Sequence, residues 1–295
     1  MIYARTKISA DPVLIRLAMI GISVTFLSLF LVLPIAMVLA QAFEKGIMPA
    51  VRALMESDTL SAIRLTLLVW ALAVPLNLVF GVLASWAIAK FDFVGKNALI
   101  TLIDLPIAVS PVISGMIFVL LYGAHGLFGP WIAERGFKII FALPGIVLAT
   151  VFVTLPYIAR ELIPVMQAQG TEEEEAAMTL GACGWQTFRK VTLPNVRWGL
   201  LYGLILCTAR TIGEFGAVSV VSGHVRGQMN TIPLQVEILY NEYNFTGAFA
   251  VASVLLVLAA ITLCAKSFVE RKSAEQERTE VYASAEEGIR LAYEH

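Results

Sequence analysis

Charge is scarce in this chain. Only 15 % of its 295 residues are Asp, Glu, Lys or Arg, and 21 basic side chains nearly balance 22 acidic ones, so the sequence offers no basic surface of the kind that binds nucleic acid. Histidine and cysteine are rarer still. His125, His224 and His295 are scattered, and Cys183, Cys207 and Cys264 stand apart from one another, so neither a metal site with ligand spacing nor a disulfide framework is indicated and free thiols are predicted. No Gly-x-x-x-x-Gly-Lys-Ser/Thr segment occurs, and the chain therefore lacks the usual backbone cradle for nucleotide phosphates. It also lacks a polar stretch long enough for a solute-capturing domain, and no catalytic residues are predicted.

Apolar residues are plentiful instead. They make up 58 % of the chain and give a mean hydropathy of +0.80, too high for a water-soluble globular protein. A bilayer core needs about 20 apolar residues per helix, and six such runs can be drawn, near 14–40, 62–89, 98–122, 140–159, 197–221 and 247–267. The fold class expected is all-α, a polytopic membrane protein of about six spans. The first run is too long for the apolar core of a signal peptide and is not followed by a convincing cleavage site, so it is expected to remain as an anchor. Asp104, Pro106 and Pro111 in the third run, and Pro144 and Pro156 around the fourth, predict kinked or broken helices.

Orientation follows from the basic residues. With the N-terminus in the cytoplasm, the inside segments hold fourteen Lys and Arg, among them Arg5, Lys7, Lys90, Lys96, Arg160 and Lys190. The outside segments hold six, namely Lys45, Arg52, Arg64, Arg135, Lys138 and Arg226, and Arg210 is left inside the membrane. This bias predicts both termini and the central loop in the cytoplasm. The tail beyond Lys266 mixes Glu and Arg and reads as a solvated helix.

The central loop is the most structured polar stretch. Thr171 is placed to cap a helix, with Glu174 three residues on to reach back, and Glu172 to Glu175 complement the positive end of the helix dipole. Ala176, Ala177 and Leu180 form a small apolar face, and Gly181 permits the backbone to end the helix and turn. Trp185, Phe188 and Val191 then recur at spacing three while Gln186, Arg189 and Lys190 face elsewhere, and Pro194 is expected to stop this second segment.

Glu175-Ala176-Ala177, three residues, Gly181, nine residues, Val191-Thr192-Leu193-Pro194 resembles the cytoplasmic loop of the permease subunits of ATP-binding-cassette importers, departing from its pattern only by Val191 in place of Ile. The resemblance implies that Glu175, Ala176, Ala177, Gly181, Leu193 and Pro194 belong to a coupling helix seated in the ATP-hydrolysing subunit. It also implies a division into 1–60, with the N-terminal cytoplasmic segment, first span and external loop; 61–268, the transmembrane domain with its coupling loop at 171–194; and 269–295, a cytoplasmic tail.

Ala209 to Gly216 carries the most informative polar group within a span. A charge at mid-bilayer costs about 3 kcal/mol on insertion scales and normally faces a wet cavity or the protein interior. Arg210 and Glu214 lie four apart, on one face of a helix, where each partly neutralises the other, while Gly213 and Gly216 are suited to close backbone approach and Ser219 and Ser222 follow toward the outside. Two readings stand side by side: this face borders a translocation path, or the pair joins helices. Arg-x-x-Gly-Glu-Phe-Gly resembles permeases for sulfate, molybdate and tungstate. The continuation from Ser222 through His224, Arg226 and Asn230-Thr231-Ile232-Pro233-Leu234 to Tyr243, together with Asp104-Leu105-Pro106 through Gly115, is similar to the CysW-type branch of the sulfate/thiosulfate permeases. That likeness covers about 60 to 268. It implies a second homologous permease subunit, two copies of an ATP-binding subunit that hold ATP and Mg, a periplasmic sulfate-binding protein facing an external loop with His224 and Arg226, and a bacterial inner membrane around the whole. No cofactor is expected in this chain. The alternatives are a permease for molybdate, tungstate or another oxyanion and, from another class, a secondary transporter or channel acting alone.

Overall fold

The longest apolar run becomes a helix whose buried face is richer in small and polar residues than its exposed face. In α4 (Ser57–Lys90) Ala73, Asn77, Gly81 and Ala84, spaced three and four apart, are buried together with Ala62 and Ser85, while Leu68, Leu72, Leu76, Val79 and Leu83 are exposed. Lipid is as apolar as leucine, so helices in a membrane gain from close backbone approach and from interhelical hydrogen bonds, which small and polar residues allow. The computed structural model describes residues 13–293, and side chains for residues 14–272. Arg5, Lys7 and His295 lie outside the described residues.

In chain order, α1 (Val13–Leu27) leads through a π turn, Ser28–Val32, into α2 (Leu33–Phe43), followed by the short α3 (Ile47–Met55) and then α4. Next come α5 (Lys96–Ala108), α6 (Pro111–Tyr122), α7 (Gly129–Ala133) and α8 (Leu143–Ala168). The central loop holds α9 (Glu172–Thr179), α10 (Gly184–Thr187), a second π turn at Phe188–Thr192 and α11 (Leu193–Asn195). The chain continues with α12 (Arg197–Ile212), α13 (Gly216–Ser222), α14 (Ile232–Asn241) and α15 (Phe245–Tyr293). No strand occurs among the described residues. Four helices are long and apolar enough to cross a membrane, Leu14–Phe43, Ser57–Lys90, Leu143–Ala168 and Phe245–Lys272, and the bent pairs α5/α6 and α12/α13 bring the number to six if each pair is one span.

At the centre is α8. It packs against α4, α5, α6, α12 and α13, and its buried positions run from Gly145 to Met166. Polar side chains join it to its neighbours: the Asn77 amide donates to Thr154 Oγ1 at 2.6 Å, Thr154 donates to the Thr150 carbonyl at 2.7 Å, and Ser85 donates to the Ala159 carbonyl at 3.3 Å. The break expected in the third run is present, as a bend of 109° between α5 and α6. The fourth run is not broken. It is one helix that continues to Ala168, with Pro144 in its first turn, where no N–H is needed, and Pro156 and Pro164 in its interior.

The two broken spans meet near their breaks. A Cβ added at Gly216 would lie 2.9 Å from Pro111 Cβ, and one at Gly115 would lie 2.8 Å from the Ala217 carbonyl oxygen and 2.9 Å from Val220 Cβ. The backbones of α6 and α13 are therefore in direct contact. Gly115→Val should lower stability by about 1–3 kcal/mol through overpacking, read as a reduced melting temperature in detergent. Gly21→Val, where nothing lies within 4 Å, should leave it unchanged.

Candidate functional site

The central loop is two helices closed by a turn that only glycine suits. At the end of α9 the Ala182 N–H donates to the Ala177 carbonyl at 3.0 Å and the Gly181 N–H to Met178 at 3.0 Å, with Gly181 at φ +89°. This is the paired bonding of a Schellman ending, which places a left-handed residue just past the helix. The start of α9 differs from expectation. Thr171 makes no cap hydrogen bond to the helix, and its hydroxyl donates instead to Glu175 Oε1 at 2.8 Å. Glu174 is unavailable for a capping box because it is engaged elsewhere, accepting from Thr192 Oγ1 at 2.6 Å and pairing with Lys90 Nζ at 3.1 Å. Asn195 is hydrogen-bonded to Glu173. In the second segment the Cys183 N–H donates to Gln186 Oε1 at 3.0 Å, which starts α10.

Pro194 also departs from expectation, since the helical path runs through it to Asn195. The preceding π turn lets the Leu193 N–H bond to the Phe188 carbonyl, one residue further back than in an α-helix. That widening accommodates a ring with no N–H to offer and a clash to avoid. The same device stands before Pro34, where the Leu33 N–H reaches the Ser28 carbonyl.

The loop exposes apolar side chains among acidic and basic ones. Leu180 is 89 % exposed and Trp185 68 %, with Met178 beside them, and Glu175, Ala176, Gly181 and Pro194 are exposed as well. Ala177 and Leu193 are half-buried. Phe188 turns inward, stacked on Trp185 at 5.7 Å and against Trp86 of α4 at 5.3 Å. The sequence reading missed the part played by Lys90 and Trp86. The one signal available was a basic and an aromatic residue at the end of an apolar run, and that signal equally fits a helix end at the membrane surface.

The second group lies at the break of the fifth span. Arg210 Nη2 is 2.8 Å from Glu214 Oε2, as the four-residue spacing predicted, but the two residues do not share a continuous helix. Arg210 is in the last turn of α12, and Glu214 is in the break before α13, where its other oxygen accepts the Ala217 N–H at 2.9 Å. The carboxylate thus does two jobs: it neutralises the guanidinium and caps α13. The Glu214 side chain is 1 % exposed and the Arg210 side chain 30 %. Of the two glycines, Gly216 makes the close approach described above, whereas Gly213 meets only the carbonyl of Ala209 in its own helix. Ser219 returns its hydroxyl to the Gly216 carbonyl at 2.8 Å, and buried Ser222 accepts the His224 N–H at 3.3 Å.

Beyond Ser222 the loop is held by polar side-chain pairs. His224 Nε2 lies 3.3 Å from Glu237 Oε2, and Arg226 is paired with Glu242, so both candidates are tied to α14 or the residue just after it. Ile232 N–H donates to Thr66 Oγ1 at 2.9 Å, fixing the start of α14 against α4. Among the described residues there is no cluster of His, Cys, Asp or Glu able to hold a metal, and the three cysteines are free.

Six candidate spans with leucine on their exposed faces, two of them broken and in contact near their breaks, and a braced loop between the fourth and fifth give the architecture of a multi-pass membrane protein. The chain belongs to the family described as binding-protein-dependent transport system inner membrane component, which residues 77–274 match. It is 49 % identical to the sulfate transport system permease protein CysW of Escherichia coli K12, over 88 % of this chain and 89 % of that one. It is 32 % identical to the sulfate transport system permease protein CysT of the same organism, over 83 % of this chain and 88 % of that one. Its fold is similar to a chain in the crystal structure of a bacterial alginate ABC transporter in complex with an alginate pentasaccharide-bound periplasmic protein, with a TM-score of 0.73 at 17 % identity, over 88 % of this chain and 93 % of that one.

Proposed function

We propose that this chain is the permease subunit of an ATP-driven importer of sulfate and thiosulfate in a bacterial inner membrane, with both termini in the cytoplasm. The observation that carries the reading is the loop from Glu172 to Asn195: internally braced, exposing the apolar side chains of Met178, Leu180 and Trp185, and set between two spans that pack on each other. An exposed apolar surface of this kind marks a docking site, and its occupant is the ATP-binding subunit. The identity with CysW supports sulfate as the cargo. The more distant identity with CysT supports a second, homologous permease chain as the other half of the pathway. Two copies of the ATP-binding subunit hold ATP and Mg, since this sequence has no phosphate loop, and the chain itself performs no catalysis. A periplasmic sulfate-binding protein delivers the anion near His224 and Arg226. ATP closes the paired subunits, the loop moves with them, and the spans alternate between outward and inward access beside Arg210, Glu214, Ser219 and Ser222.

The test is uptake by proteoliposomes containing the full complex. Sulfate should accumulate only with ATP, with the binding protein and with this chain present, and thiosulfate should compete. Preference for molybdate or tungstate would assign a different oxyanion. Uptake by this chain alone, without ATPase subunits, would make it a secondary transporter or channel.

A further inference from the structure

The loop is continuous in the chain only with α8 and α12, yet it is also held by a third span. We infer that Lys90 is a positioning residue that ties the inner end of α4 to the coupling loop, so that loop movement reaches α4 directly. The inference rests on the importer reading above. Lys90 is the last residue of α4, and its side chain is 5 % exposed. Its ammonium lies 3.1 Å from Glu174 Oε1 and also donates to the Gly170 carbonyl, at the turn between α8 and α9. The same Glu174 oxygen accepts the Thr192 hydroxyl at 2.6 Å. One carboxylate oxygen therefore joins the end of α4, the coupling helix α9 and the π turn that precedes Pro194.

One turn earlier on α4, Trp86 packs against Phe188 of that π turn and against Phe91, each at 5.3 Å. An apolar contact and a charged one thus grip the loop from the same helix end. A lysine present only to complement a helix dipole or to favour the cytoplasmic side would extend into water. Lys90 is folded under the loop instead, where screening is weak and the attraction depends steeply on distance. Moving the loop without α4 would separate a largely buried ion pair, so the two move together.

The purified full complex in proteoliposomes gives the readout, sulfate imported per ATP hydrolysed, with retention of the ATPase subunits measured on the same sample. Lys90→Met should lower the ratio on the order of tenfold, within the range of ordinary coupling between sites. Glu174→Gln, which still accepts from Thr192, should lower it comparably. The double variant should be no worse than either single one, because all three remove the same link. Lys90→Arg should retain most of the coupling. An unchanged ratio in Lys90→Met and Glu174→Gln, or multiplied losses in the double variant, would overturn the inference. Gly181→Val in the same assay separates the two levels: if it uncouples and Lys90→Met does not, only the tie to α4 is wrong, whereas normal coupling in Gly181→Val removes the loop as the coupling element altogether.

Discussion

Gly181→Val is expected to leave membrane insertion intact and to abolish the link between ATP hydrolysis and sulfate import. Gly181 has φ +89°, and nothing lies within 4 Å of where its Cβ would be. A β-branched side chain resists that backbone by about 1–2 kcal/mol and, having no neighbour in this chain, projects outward beside Leu180 into the face assigned to the ATPase subunit. Two effects therefore combine, a loosened Schellman turn and a collision with the partner. Gly95→Val separates them. Gly95 also has a left-handed φ, +96°, with open space around it, but it lies in the short turn between α4 and α5. It carries the same backbone penalty without the collision. Purified complexes should show lost ATPase retention, or hydrolysis without sulfate import, in Gly181→Val and near-normal coupling in Gly95→Val. Equal coupling in both variants would remove this segment from the interface.

The spans were legible because the bilayer imposes a single length and composition on them, and the break after Asp104 was legible because Pro106 and Pro111 advertise it. Helix ends were less so. α4 begins at Ser57, several residues before its apolar run, because Ser57, Asp58 and Thr59 are helical without being lipid-like. α8 outlasts its apolar run, through Arg160 and Glu161, because polar residues continue the helix and Arg160 finds Asp104 of α5 at 2.8 Å. The capping-box pattern at Thr171 and Glu174 was present in the sequence and did not form, because Lys90 and Thr192 arrive from distant parts of the chain and take the carboxylate. Local patterns record what a side chain is able to do. They do not record which competitor folding brings next to it.

Arg210→Ala should be among the most destabilising single changes in a span, because Glu214, whose side chain is 1 % exposed beside Arg210, would keep only the Ala217 N–H for its carboxylate. Breaking a buried pair by removing one partner costs about 3–5 kcal/mol. The four-residue spacing of this pair also hid the break from the sequence reading, since Arg210 and Glu214 fit one continuous helix face and the structure instead uses the carboxylate to restart the helix after Gly213. Arg210→Met combined with Glu214→Gln removes both charges, while the amide oxygen introduced by the second substitution still accepts the Ala217 N–H. Melting temperature and assembly yield of the double variant should therefore recover to near the parent, and additive losses would reject the pairing. Transport distinguishes the two roles once stability is restored. If the partly exposed guanidinium borders the anion path, as its position at the break favours, the stable double variant should still import sulfate poorly. Full uptake by that variant would make the pair a joint between helices and nothing more.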